Sequence, residues 1–121
     1  MFSFQGAAKA GKQLTISDLS AAIAAGELLL IDVREVAEAQ SSGLAEGARL
    51  IPLSLLPLKA DPGKPGCELP QGVPVAIYCA AGARAGRAAE ILAGFGYPEV
   101  ANLGGLSNWA GGGGRVVPFK G

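Results

Sequence analysis

Chemistry in this sequence centres on the run Cys79-Ala80-Ala81-Gly82-Ala83-Arg84. A cysteine becomes a strong nucleophile once it is a thiolate, so something must stabilise the charged sulfur. The usual partner is missing, because the sequence contains no histidine. That absence removes Ser-His-Asp hydrolases, Cys-His proteases and metal-hydroxide hydrolases, each of which needs an imidazole as base or ligand. What remains is activation by backbone: loop amides and the positive end of a helix dipole can lower a cysteine pKa from about 8.5 toward or below neutrality. Arg84 and Arg87 fall near the start of the helix expected after the loop, where a cation opposes the dipole. An anion held in the loop compensates them, either the sulfur itself or an oxyanionic substrate, with Arg84 as a forked donor. In a second reading Arg87 pairs with Glu90 at i,i+3 and Arg84 reaches solvent.

The elements needed to place this loop can be read on either side of it. A continuous apolar run over residues 73–78 ends at Cys79 and has the character of a strand buried on both faces. Residues 84–95 follow as a helix, with Ala88, Ile91, Leu92 and Phe95 on one face and Gly94, Gly96 and Pro98 closing it. Cys79 therefore lies at a strand-to-helix junction, the place where open α/β sheets bind ligands. Residues 100–103 form another short apolar run, ending at Gly104-Gly105, and complete a strand-helix-strand unit with a right-handed crossover. Upstream, residues 15–25 read as a helix with Ser17 as N-cap and Gly26 as stop, followed by the strand-like run 28–31. Pro52 and Pro57 exclude a regular central strand through 50–58, and residues 61–66 are a loop by composition. The predicted class is α/β with a mostly parallel sheet.

The whole chain sets the outer bounds. Its 121 residues are the size of one compact domain, 1–121, with 1–12 as the candidate for a flexible N-terminal segment. Ten basic residues against ten acidic ones leave no broad electrostatic footprint for nucleic acid or an anionic membrane. Residues 1–12 lack the apolar core of a signal peptide, and no apolar run approaches the length of a membrane span, so a cytoplasmic location is expected. With two cysteines and no histidine, neither a disulfide framework nor a metal site is expected, and no cofactor is called for. Cys67, twelve residues before Cys79 in the Pro/Gly loop, is either incidental or a resolving thiol. Trp109 reads as a packing residue, and the glycines at 111–114 as a mobile connection.

Four segments in order resemble the rhodanese family. The loop 79–84 and the helix after it are similar to that family's Cys-x-x-Gly-x-Arg loop. Leu30-Ile31-Asp32-Val33-Arg34-Glu35 resembles its Ile-Asp-Val-Arg segment, and Gly47-Ala48-Arg49-Leu50-Ile51-Pro52 its Gly-Ala-x-x-Ile-Pro segment. Asn102-Leu103-Gly104-Gly105-Leu106-Ser107-Asn108-Trp109 resembles its C-terminal Leu-x-Gly-Gly-x-x-x-Trp. The resemblance implies a five-stranded, mostly parallel sheet flanked by helices, and a sulfurtransferase in which Cys79 carries sulfur as a persulfide from thiosulfate, a polysulfide or another persulfide to cyanide or a thiol. It also implies that the backbone N–H groups of Ala80, Ala81, Gly82, Ala83 and Arg84 cradle the terminal sulfur, and that Asp32 and Arg34 brace the strand end beneath the loop.

Departures from the family pattern bear on the substrate. Ala80, Ala81, Ala83 and Ala85 stand where relatives often carry basic, hydroxyl or amide side chains. Recognition would then rest on backbone amides plus Arg84, which makes a polysulfide or small persulfide at least as suitable a donor as thiosulfate. Two other functions fit part of the pattern. One is a non-turnover sulfur carrier or docking module, whose protein partner would belong to a sulfur relay. The other is a phosphatase or arsenate reductase, although related phosphatases place five residues between cysteine and arginine where this loop has four.

Overall fold

The computed structural model describes residues 2–121. Strand β1 (Leu29–Asp32), β3 (Arg49–Leu50), β4 (Val75–Cys79) and β5 (Val100–Gly105) form one parallel sheet in the order β3-β1-β4-β5. The sheet thus has four strands and not the five that the family resemblance implied. The remaining two strands, β2 (Leu44–Ala45) and β6 (Val116–Val117), pair with each other antiparallel in a separate ribbon. β2 follows directly on a helix capped by Gly43, whose φ of +88° favours glycine and where a Cβ would meet Val116 and Val117 of β6.

Side-chain alternation along β1 and β4 explains the layers. Leu29, Ile31, Val75, Ile77 and Cys79 point to one face, where they meet Leu56 of α4 (Leu56–Lys59) and Ala85, Ala88 and Leu92 of α5 (Ala83–Gly94). Leu30, Ala76 and Tyr78 point to the other face, against Leu19 and Ala22 of α2 (Ile16–Ala24) and Trp109 of α6 (Leu106–Gly111). Every residue of β1 and β4 is buried, as expected of central strands covered on both faces. Each large aliphatic side chain so enclosed contributes about 1.5–3 kcal/mol.

Local signals place the element ends with small differences from the sequence reading. The N-cap of α2 is Thr15, not Ser17: the Thr15 hydroxyl accepts the Asp18 N–H at 3.1 Å while the Asp18 carboxylate accepts the Thr15 N–H at 2.9 Å. After β3 the chain makes a 3-10 turn (Leu53–Leu55) and then α4, with Pro57 in the first helical turn where a missing N–H is tolerated. Residues 2–12 hold a short helix, α1 (Phe4–Lys9), capped by Ser3, whose hydroxyl also donates to Glu99 at 2.9 Å. The glycines at 111–114 are bonded in place: the N–H groups of Gly112, Gly113 and Gly114 donate to the carbonyls of Asn108, Ala110 and Trp109. A Cβ at Gly114 would overlap the Trp109 indole, so this glycine lets the chain lie against the ring. Among the described residues no helix is long and apolar enough to cross a membrane.

Candidate active site

Cys79 is the last residue of β4 and is only 1 % exposed. Gly82 turns the chain into α5 with φ +107°, a conformation that would strain any other residue. The turn folds the backbone round the sulfur, and the Gly82 N–H donates to Cys79 Sγ at 2.9 Å. Burial pushes the thiol up, but the N–H groups of Ala85, Gly82, Ala81 and Arg84 outweigh it and hold Cys79 below its ordinary value. Several amides, supplied by the loop and the first turn of α5, thus do the work an imidazole would do elsewhere.

The end of β5 supports this loop from beside it. Ile77 is in register with Asn102, but Cys79 is in register with Gly105, so β5 bulges by one residue through Leu103 and Gly104. The Asn102 side-chain amide donates to the Gly82 carbonyl at 3.0 Å and accepts the Gly104 N–H at 2.8 Å. A Cβ on Gly105 would overlap the Ala80 carbonyl oxygen, so loop and strand meet backbone to backbone. The Asn108 side chain fixes that approach by accepting the Gly105 N–H at 2.8 Å.

Arg84 is not an idle donor, nor does it reach only solvent. Its Nη1 and Nη2 donate to both carboxylate oxygens of Glu38, at 2.6 and 2.8 Å. Glu38 belongs to α3 (Val36–Ser42) and also accepts the Glu35 N–H at 2.9 Å. The hydrogen bonds from Arg84 and then from Glu35 hold the Glu38 carboxyl down at about 2, and its carboxylate pushes Arg84 further up. Glu38 is the residue that the sequence reading missed. Its signal is the spacing Glu35-x-x-Glu38 at a helix start, which reads as a cap and gives no hint of a partner 46 positions away.

Asp32 and Arg34 form a buried pair, 0 % and 3 % exposed. Arg34 Nε and Nη2 both donate to the Asp32 carboxylate, Nη2 at 2.7 Å, while Nη1 donates to Ser42 Oγ and Nη2 also to the Gly43 carbonyl, both at 2.6 Å. The guanidinium also sits 5.7 Å from the centroid of the Tyr78 ring. Among the described residues neither Asp32 nor Arg34 bonds to the 79–84 loop; they tie the end of β1 to the end of α3. Their path to the loop is indirect, through α3 to Glu38 and on to Arg84. Arg87 is exposed and has no ion pair among the described residues, Glu90 included. Ala80 and Ala83 are exposed at either end of the turn, and Ala80 lines a cleft of about 700 Å³ with Arg34, Glu38, Leu106 and Val116.

The family model described as "Rhodanese-like domain" matches residues 15–111, most of the sequence. The chain belongs to the rhodanese-like family. A sulfurtransferase of Allochromatium vinosum is 36 % identical over 85 residues, 69 % of this chain and 73 % of that protein. The crystal structure of a rhodanese-related protein from Thermoplasma volcanium aligns with TM-score 0.68 and 30 % identity, covering 87 % of this chain and 96 % of that one. A thiosulfate sulfurtransferase from Pseudomonas aeruginosa aligns with TM-score 0.73 and 32 % identity, but the shared rhodanese-like portion is 19 % of that longer chain. A sulfurtransferase-type function is what family and relatives support.

Proposed function

We propose that this protein transfers sulfane sulfur through a persulfide on Cys79. The supporting observation is the buried Cys79 thiol, held below its ordinary pKa by backbone N–H groups in a chain with no histidine. The thiolate attacks the outer sulfur of a donor. The bond from that sulfur to the rest of the donor breaks, and the leaving group departs with the electron pair. The terminal sulfur of the new persulfide carries the negative charge and enters the space ringed by the amides of Ala81, Gly82, Arg84 and Ala85. In the second half, cyanide or a thiolate attacks that terminal sulfur, and Cys79 leaves as the thiolate that began the cycle. Neither half changes the total charge, and no external oxidant or reductant takes part.

Incubation with methanethiosulfonate, a monoanionic sulfane donor, should add about 32 Da to the wild-type protein and nothing to Cys79→Ser, as a covalent sulfur intermediate on one thiol requires. Equal labelling of both proteins would discard the mechanism. Multiple turnovers with cyanide, followed as thiocyanate release, separate an enzyme from a carrier that loads once and waits for a protein partner.

A further inference from the structure

Arg84 is the cation nearest in sequence to the reactive sulfur, and Glu38 occupies both of its terminal nitrogens, at 2.6 and 2.8 Å. A bidentate carboxylate fills the same fork that an oxyanionic substrate would use. Glu38 has a second anchor in the Glu35 N–H at 2.9 Å, so the carboxylate stays at the rim even if the guanidinium swings away. Asp32 and Arg34 cancel each other in their own buried pair. The reactive Cys79 thiolate, Glu38 and Arg84 therefore carry one net negative charge before any donor arrives. The next cation on α5, Arg87, is exposed and points no bond at the loop among the described residues. Beside Ala80, the cleft offers an uncharged substituent apolar contact with Ala37, Leu106, Ala110 and Val116.

Building on the sulfur-transfer reading, we propose that Glu38 is a specificity-determining residue. By occupying Arg84 it excludes dianionic sulfane donors, thiosulfate among them, and leaves the site to donors with at most one negative charge. An organic thiosulfonate is such a donor. The Cys79 thiolate attacks its sulfane sulfur, the bond to the sulfonyl sulfur breaks, and a sulfinate leaves with the electron pair. Two negative charges stand on each side of that step, and nothing is consumed besides the donor.

The test compares thiosulfate with methanethiosulfonate as donors to cyanide, in wild type, Glu38→Gln and Glu38→Asp. Glu38→Gln should lower KM for thiosulfate and raise the ratio of kcat/KM for thiosulfate over methanethiosulfonate at least ten-fold. Glu38→Asp keeps the charge and should keep the wild-type ratio within about three-fold, which separates charge exclusion from the mere loss of a strut. A ratio unmoved in a folded Glu38→Gln protein overturns the proposal, as does a Glu38→Asp ratio that rises with it. Mass spectrometry of Cys79 distinguishes the two levels of failure. Sulfur loading without a change in ratio sinks only the role of Glu38, whereas no loading of wild type by either donor sinks the sulfur-transfer reading and this one together.

Discussion

Cys79 is buried, yet its thiol is held below its ordinary value, a combination only possible where hydrogen bonds to the charged form exceed the cost of removing it from water. The sign of the pH response follows. At pH values below the lowered pKa the sulfur is protonated and a poor nucleophile, and the thiolate fraction grows as pH rises through it. Persulfide formation should therefore rise with pH and level off with a midpoint below the value of about 8.5 for a free cysteine. Stopped-flow loading over pH 5–9.5 checks this; a midpoint at or above that of free cysteine would contradict the amide cradle. Residue identity made Cys79 and Arg84 readable as a pair from their spacing in the chain. Glu38 was not, because a carboxylate in the first turn of a helix is already accounted for by the cap and the dipole. Only the juxtaposition of α3 with the start of α5 turns it into the partner of Arg84.

At the next scale, strand β5 and the loop after β4 must meet without side chains between them. Gly105 stands opposite Cys79, and a Cβ there would overlap the Ala80 carbonyl oxygen. Gly105→Ala should displace the loop, cost about 1–3 kcal/mol of stability as overpacking does, and slow sulfur loading of Cys79. Urea unfolding and loading rate measured on the same sample check both parts. Stability and loading both at the wild-type level would show that the loop does not depend on this contact. The glycine pair 104–105 could be read as a strand end from its composition. Its actual work, a bulge that brings Gly105 level with Cys79, depends on the register between β4 and β5, which single-strand patterns do not contain.

Across the whole molecule, the buried Asp32–Arg34 pair joins β1 to the end of α3 and lies against Tyr78. Asp32→Asn removes the one carboxylate paired with Arg34 among the described residues and leaves a charge in a water-poor site, so a loss of about 3–5 kcal/mol is expected by thermal or urea unfolding. A loss below about 1 kcal/mol would mean that the guanidinium is satisfied by Ser42 and Gly43 alone. The two cysteines are likewise separated by the fold. Cys67 packs near Tyr97, just beyond the C-terminal end of α5, whereas Cys79 lies at the N-terminal end of that helix. That helix spans roughly 18 Å, and both cysteines are free. Cys67→Ser should load sulfur on Cys79 as wild type does, and a rate below half would restore the resolving-thiol reading. From the sequence alone came the α/β class, the strand-to-helix placement of Cys79, the breaking of strand by Pro52 and Pro57, and an activation that cannot use histidine. These follow from local rules, because hydrophobic period, proline geometry and residue chemistry act within a few positions. The number of strands in the sheet, the path from Arg34 through α3, and the hold of Glu38 on Arg84 were decided by tertiary structure. Each is a contact between segments far apart in the chain, and the free energy that selects it exists only once the two surfaces have been brought together.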